Sequence, residues 1–276
     1  MSDQKKSLNV GLHMVKPFGP VVMQVKMEPE YVDWINKYHD TVRADKIKNK
    51  ELDYSHALVG NVQKEIEIPG KNLTEVMPGG KLPSLAEYLS KLTEQYIQRV
   101  DKMQTQDPVS SLTNQSHVPF EKGIKTGGPK ELQLVTVMSA WTVAQYKGDY
   151  NPVHKHHGTV SCVTWTKVPE CIEKGNERDE AGFFVLMDGF RSNLCANLYA
   201  IKPQVGLMLF FPSWLHHAVY PFRGEGERRS FSANLLAVPK EEKDLLNLGV
   251  FILDKKTLEE HVAKKKRREE ENAPKS

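Results

Sequence analysis

The stretch GLMLFFPSWLHHAV, residues 206–219, indicates most clearly how the chain folds. It opens on a glycine, continues as a short apolar run, and contains two adjacent histidines near its end. Similar short stretches occur on both sides of it, separated by glycine and proline. We predict strands at Leu132–Val143, Thr159–Val168, Gly182–Phe190, Leu194–Ile201, Gly206–Phe211 and Arg229–Val238. Strands that recur about every ten residues are typical of antiparallel sandwiches and barrels.

The remaining sequence is organised around this β-rich part. We expect residues 1–130 to form a supporting region of helices and strands within the same domain. Ser84 and Glu87 have the spacing of a capping box, which predicts that a helix begins there. Residues 131–240 are the predicted core, and residues 105–130 read as an exposed loop. Residues 241–276 are predicted to form a charged helical tail.

Composition excludes several classes of protein. The chain has 276 residues, of which 39% are apolar, and its longest apolar run is far shorter than the roughly 20 residues of a membrane helix. The N-terminus lacks the apolar segment of a secretory signal. Three cysteines without a CxxC motif argue against a disulfide framework and suit the reducing cytoplasm. We therefore expect a cytoplasmic protein that does not bind a membrane.

Charge gives no sign of a nucleic-acid partner. The net charge is only +3, and most of the excess lies in the C-terminal tail. There the basic run at residues 264–268 is followed by three glutamates, a pattern typical of a solvated helix with paired charges. A targeting or anion-binding role of that run is the alternative.

Two histidine clusters suggest a metal site. His154 and His156 are two residues apart, so on an extended strand both side chains face the same side. His217 comes from a distant strand end and is the candidate for a third ligand. Three protein ligands on one face leave open positions, an arrangement that suits Fe(II) and is also compatible with zinc.

A second polar pattern follows the second histidine cluster. In RRSFSANL, residues 228–235, strand alternation places Arg228, Ser230, Ser232 and Asn234 on one face. A buried arginine needs an anionic partner that accepts two hydrogen bonds. That partner is either a carboxylate of the protein or the carboxylate of a dicarboxylic co-substrate bound at the metal.

Together these residues resemble a known family. The motifs NPVHKH at 151–156 and FPSWLHH at 211–217, followed by Arg228 and Ser230, are similar to those of the Fe(II)- and 2-oxoglutarate-dependent dioxygenases, and prolyl-hydroxylase-like members in particular. The resemblance covers about residues 135–238. It implies a mainly β fold with flanking helices, built on a double-stranded β-helix or jelly-roll core.

The resemblance also implies roles for individual residues. His154 and His217 correspond to iron ligands, and Arg228 with Ser230 corresponds to the group that binds the distal carboxylate of 2-oxoglutarate. Tyr146 corresponds to a pocket tyrosine, and we expect Asn234 to line the same pocket. The cofactors would be Fe(II), 2-oxoglutarate and O2. The reaction would be hydroxylation of a protein or peptide side chain or of a small molecule, with release of succinate and CO2.

One residue departs from the family pattern. Where the wider family has an aspartate or glutamate, this chain has His156. Either His156 is a true third ligand, which the i, i+2 spacing favours, or water takes its place, or a remote carboxylate such as Asp149 or Asp188 does. Two further functions stay open: a three-histidine cupin-type dioxygenase that does not use 2-oxoglutarate, and a non-enzymatic jelly-roll binding module. A contact of Arg228 with a protein carboxylate would favour the cupin.

Overall fold

The structure is a computed structural model that describes residues 11–15, 19–55, 62, 65–106, 132–175, 179–189 and 196–239. Its strands form two antiparallel sheets. The larger has seven strands and the smaller has four. The strands are β1 Leu12–Val15, β2 Val22–Lys26, β3 Glu65–Glu67, β4 Leu132–Gln145, β5 Asn151–His154, β6 Val160–Lys167, β7 Phe184–Met187, β8 Leu198–Ile201, β9 Leu207–Pro212, β10 His216–Val219 and β11 Arg228–Pro239.

The order of the strands shows that most connections cross from one sheet to the other. The large sheet runs β1-β2-β9-β6-β11-β4-β3, and the small sheet runs β5-β10-β7-β8. From β4 to β11, strands that follow one another in the chain therefore alternate between the two sheets, except that β7 and β8 form a hairpin within the small sheet. This alternation is that of a double-stranded β-helix, so the predicted mainly β fold with a jelly-roll core is confirmed.

The helices of the described residues are α1 Pro29–Ala44, α2 Lys46–Glu51, α3 Gly70–Leu73, α4 Leu85–Gln106 and α5 Glu170–Glu173. Of these, α1 and α4 pack against one face of the large sheet. The start of α4 agrees with the predicted cap, because the Glu87 amide donates to the Ser84 hydroxyl over 3.3 Å. Pro29 lies in the first turn of α1, where its missing N–H costs nothing.

The two larger apolar cores of the described residues lie on opposite faces of the large sheet. The first is between that sheet and helices α1 and α4, where Phe231, Ala233 and Leu235 meet residues such as Tyr31 and Leu89. The second is between the two sheets and contains residues from both, Val163, Trp165, Phe184, Leu186, Leu209 and Phe211 among them. From Phe231 to Leu235 one face of β11 is thus apolar, as alternation predicts, and the opposite, polar face is turned toward the smaller sheet.

Several sequence predictions fall outside the described residues. They concern residues 107–130 of the predicted loop and the charged tail at 241–276. Residues 105 and 106, predicted to begin that loop, belong instead to the last turn of α4. The division into a supporting region and a core stays a prediction. Among the described residues, no helix combines the length and the apolar character needed to cross a membrane.

The edge strand β3 carries a buried acid that makes stability depend on pH. Glu65 is buried, and burial is the main reason that its pKa is raised to about 8. The negative charge of Asp53 is the second cause. Between the ordinary glutamate pKa and pH 8, the folded chain therefore retains a proton that the unfolded chain releases. The free energy of unfolding falls as pH rises through this range, by at most about 1.4 kcal/mol per pH unit. We expect Glu65→Gln to remove this loss, so its gain in unfolding free energy is larger at pH 8 than at pH 5.

Urea denaturation of wild type and variant at the two pH values measures this difference. Glu67→Gln is the matched control, because Glu67 lies on the same strand and is only half-buried. An equal gain from Glu65→Gln at both pH values would contradict the assignment.

Candidate active site

Two short strands of the small sheet carry His154 and His217. β5 ends at His154, and β10 begins with His216 and His217. The strands pair antiparallel with His217 directly opposite His154, so both side chains lie on the same face. That face is turned toward the large sheet, while His216 is exposed on the other side.

The three predicted histidines converge. The ring centres of His154 and His217 are 4.3 Å apart, and the His156 ring lies 5.0 Å from the first and 4.9 Å from the second. One nitrogen from each ring lies within 4.8 Å of the others. A set of three nitrogens at this spacing fits a divalent transition metal and leaves part of the coordination sphere open.

Backbone carbonyls fix the orientation of two of these rings. His154 Nδ1 lies 2.7 Å from the Pro152 carbonyl oxygen, and His217 Nδ1 lies 2.9 Å from that of Leu215. A carbonyl only accepts, so in each ring Nδ1 donates its hydrogen and Nε2 keeps its lone pair. Such outer partners are the usual means by which proteins orient metal-binding histidines.

Burial keeps the three imidazoles neutral. It is the largest cause of a lowered pKa at His154, at His156 and at His217. The pKa of His156 falls to about 3, with smaller contributions from His154 and His157. Neutral imidazole is the form that binds a metal, so the group is ready to do so at physiological pH.

His156 reaches the group by a different route from the expected one. It lies beyond the end of β5, so the i, i+2 geometry of a strand does not position it. Its amide instead donates to the Ser213 carbonyl over 2.9 Å, which ties the segment to the turn before β10. The ring packs edge-on against Trp141, with 5.4 Å between centres.

No carboxylate joins the histidines within the described part of the chain. The group of close ligand atoms there consists of the three histidines and does not include Asp149 or Asp188. Asp149 instead accepts from the Tyr146 amide over 2.9 Å and closes the turn after β4.

Arg228 lies in the same cavity and is almost completely buried. Its Nη1 donates to the Gln145 side-chain oxygen, whereas Nε and Nη2 have no hydrogen-bond partner among the described residues. The guanidinium lies over the Trp165 ring, 5.7 Å from its centre. Burial lowers the pKa of Arg228 to about 9, so the guanidinium keeps its charge at neutral pH. Nε and Nη2 form one edge of the guanidinium, and two parallel N–H groups match one carboxylate.

The neighbouring arginine shows the contrast. Arg229 is equally buried but lies on the other face of β11, where it contacts Asp40 and Glu227 at 2.6 Å each. No protein carboxylate takes this role at Arg228 within the described ranges. The condition that would favour a cupin without 2-oxoglutarate is therefore not met by these residues.

The other predicted pocket residues divide into two groups. Ser230 and Asn234 line the cavity, and Asn234 is held between Ser161, at 2.8 Å, and Ser139, at 3.2 Å. Tyr146 is not among the lining residues, and its hydroxyl accepts from Arg43 over 2.7 Å. The residue before it, Gln145, lines the cavity instead.

Much of the cavity wall could not be found from motifs. These residues come from several strands and share their inward direction, and they are Trp141, Val143, Gln145, Ser161, Val163, Phe184 and Val219. Strand alternation alone could have identified Gln145, because it follows Trp141 and Val143 at a period of two.

Comparison with known families agrees with this site. Residues 139–234 match the model of a family described as "Putative 2OG-Fe(II) oxygenase". The matched segment includes the three histidines and Arg228. None of the curated protein sequences compared with the chain matches it.

Solved structures give more distant similarities. A prolyl-4-hydroxylase from Pseudomonas putida is 14% identical, with a TM-score of 0.42, over 79% of this chain and 92% of that one. The collagen prolyl hydroxylase of Paramecium bursaria Chlorella virus-1, in its 2-oxoglutarate complex, is 13% identical, with a TM-score of 0.39, over 79% and 96%. A 2OG-Fe(II) oxygenase family oxidoreductase from Burkholderia pseudomallei is 15% identical, with a TM-score of 0.31, over 40% of this chain and only 48% of that one.

These structural similarities are too distant to assign a substrate. The family match is more specific, because it spans the strands that carry the histidines and the arginine. The predicted resemblance is thus confirmed over residues 139–234, which are similar to the 2OG-Fe(II) oxygenases, a family of oxidoreductases whose cofactors are Fe(II), 2-oxoglutarate and O2.

Proposed function

We propose that the chain is a dioxygenase in which His154, His156 and His217 hold Fe(II) and Arg228 binds the distal carboxylate of 2-oxoglutarate. The observation that carries this proposal is the free Nε–Nη2 edge of a buried, charged arginine in the cavity of three neutral histidines. An unpaired buried charge is costly, so it points to an anionic ligand that completes the site.

Charge balance supports an anionic co-substrate. Three neutral imidazoles leave the full charge of a divalent metal uncompensated, and Arg228 adds one more positive charge in the same cavity. A dicarboxylate supplies two negative charges, one for the metal end and one for the arginine end. His156 in place of the usual carboxylate therefore favours an anion at the metal rather than opposing it.

The protein residues have distinct tasks in this proposal. Bound Fe(II) supplies the redox chemistry by which O2, 2-oxoglutarate and a C–H group become succinate, CO2 and a hydroxylated product. His154 and His217 present Nε2 to the metal, and His156 presents one of its ring nitrogens. Arg228 orients the co-substrate by binding its distal carboxylate. Ser230 adds a hydroxyl beside Arg228, while Asn234 holds the wall between Ser161 and Ser139.

The primary substrate belongs to one of two classes, a protein or peptide side chain or a free small molecule. The described cavity residues serve the metal and the co-substrate, so they do not separate these classes. We also infer a cytoplasmic location from the sequence, and Cys162 and Cys171 are unpaired in the structure.

Succinate formation tests the proposed function. Protein supplied with Fe(II), 2-oxoglutarate and O2 is expected to form succinate slowly even without the primary substrate, and faster with it. Omission of any one of the three should abolish the product. Turnover of 2-oxoglutarate that continues without added or bound iron would contradict the proposal.

A further inference from the structure

Gln145 is hydrogen-bonded both to Arg228 and to Asn151, a residue of the strand that ends at His154. It is the last residue of β4, and it pairs across the sheet with Arg228, the first residue of β11. Directly paired residues of antiparallel strands project to the same face, so both side chains enter the cavity. Gln145 is 1% exposed, so its amide must find its hydrogen bonds inside the protein.

The amide has one bond in each direction. Its oxygen accepts from Arg228 Nη1, and its nitrogen donates to the Asn151 side-chain oxygen over 3.1 Å. A guanidinium only donates, so the amide oxygen must face Arg228 and the nitrogen must face Asn151. Asn151 is the first residue of β5, which ends at His154. Gln145 therefore links the arginine to the strand that carries a histidine of the metal group.

The neutrality of Gln145 matters as much as its geometry. A glutamate has nearly the same shape, but at this position its carboxylate would form a buried ion pair with Arg228 and neutralise it. The amide accepts one hydrogen bond and leaves the positive charge uncompensated. The bond also occupies Nη1, so the edge that stays free is the one formed by Nε and Nη2.

We propose that Gln145 is a positioning residue for the co-substrate: it fixes the orientation of Arg228, keeps its charge available to an incoming carboxylate, and connects it through Asn151 to β5. This inference rests on the proposed function, because it needs a carboxylate ligand at Arg228. It adds a residue that has no counterpart among the motifs of the sequence.

Two substitutions separate charge from shape. In Gln145→Glu a carboxylate competes with 2-oxoglutarate for Arg228, and we expect the dissociation constant for 2-oxoglutarate to rise about 100-fold. In Gln145→Met the acceptor is lost without a new charge, and we expect a rise of about tenfold. Fe(II) affinity should stay within about twofold in both variants, because neither touches the histidine nitrogens.

The measurement is an anaerobic titration of the iron-loaded protein with 2-oxoglutarate, followed by its visible absorption. Gln24→Glu is the matched control, since Gln24 is a half-buried strand residue bonded to Tyr199, 3.3 Å away, and does not line the cavity. Steady-state kinetics add a second readout. For Gln145→Met we expect a raised KM for 2-oxoglutarate with kcat almost unchanged, which a general loss of structure does not produce.

The outcomes distinguish this inference from the proposed function. If wild type binds 2-oxoglutarate and either variant binds it within twofold of wild type, the inference is overturned and the proposed function stands. A Gln145→Met loss as large as that of Gln145→Glu, or a loss of Fe(II) affinity in both, also overturns it. If wild-type protein with Fe(II) does not bind 2-oxoglutarate, the proposed function fails and this inference fails with it.

Discussion

Arg228→Met is expected to raise the dissociation constant for 2-oxoglutarate by about 100-fold or more, while Fe(II) binding is retained. Methionine fills much of the same volume but removes the charge and both free N–H groups. Loss of one partner of a buried, hydrogen-bonded charge pair costs about 2–5 kcal/mol. Direct titration by calorimetry under anaerobic conditions, with the iron already bound, measures the change.

Arg229→Met is the control for this experiment. It removes an equally buried arginine from the adjacent position of the same strand, but on the face turned toward α1. There Arg229 is paired with Asp40 and Glu227, so its loss should lower the unfolding temperature and leave 2-oxoglutarate affinity unchanged. If the two variants weakened 2-oxoglutarate binding equally, Arg228 would be a structural residue and not the anchor.

His217→Ala is expected to raise the dissociation constant for Fe(II) by about 100-fold or more. Loss of an outer hydrogen-bond partner alone costs about 10–100-fold in metal affinity, and loss of a ligand should cost at least the upper value. Of the three histidines His217 is the most deeply buried, so a water molecule cannot easily replace it. Anaerobic competition with a coloured chelator measures the affinity.

His216→Ala provides the matched control from the neighbouring position. His216 is exposed and lies on the opposite face of β10. Its replacement should leave Fe(II) affinity within about twofold of wild type. Equal losses in the two variants would show that the strand, and not the His217 ring, determines metal binding.

Strand alternation explains why part of the site is readable from sequence. Each residue of β11 between Arg228 and Leu235 lies on the face that a period of two predicts. Arg229 lies on the helix side, where it is paired with Asp40 and Glu227. The other polar members face the cavity, and the apolar members enter the core under the helices. Register errors are costly where one face is buried and apolar, and this is why the prediction succeeds here.

The same rule fails where strands are short or end early. β5 has four residues, one of them a proline, and it ends before His156. The position of His156 depends on a bond to Ser213, more than 50 residues away, which no local pattern contains. Likewise β3 has the sequence Glu-Ile-Glu, whose charged residues are not typical of a strand. It forms a strand because it pairs with β4, which a local sequence pattern does not reveal.

Tyr146 and Gln145 illustrate a third limit. The resemblance pointed to Tyr146, yet the structure places its hydroxyl against Arg43 and leaves Gln145 as the neighbour of Arg228. The two residues are adjacent at the end of β4, so a shift of one position exchanges the faces to which they point. A motif predicts which face such a residue points to only when the residue at which the strand ends is known.

The central claim is that one cavity binds Fe(II) and 2-oxoglutarate together, and visible spectroscopy tests it most directly. Metal-free protein is titrated anaerobically with Fe(II) and then with 2-oxoglutarate, and the charge-transfer band of a chelated keto acid is followed. We expect a band that needs both additions and saturates at one equivalent of 2-oxoglutarate. Binding of Fe(II) without any band on addition of 2-oxoglutarate would contradict the claim.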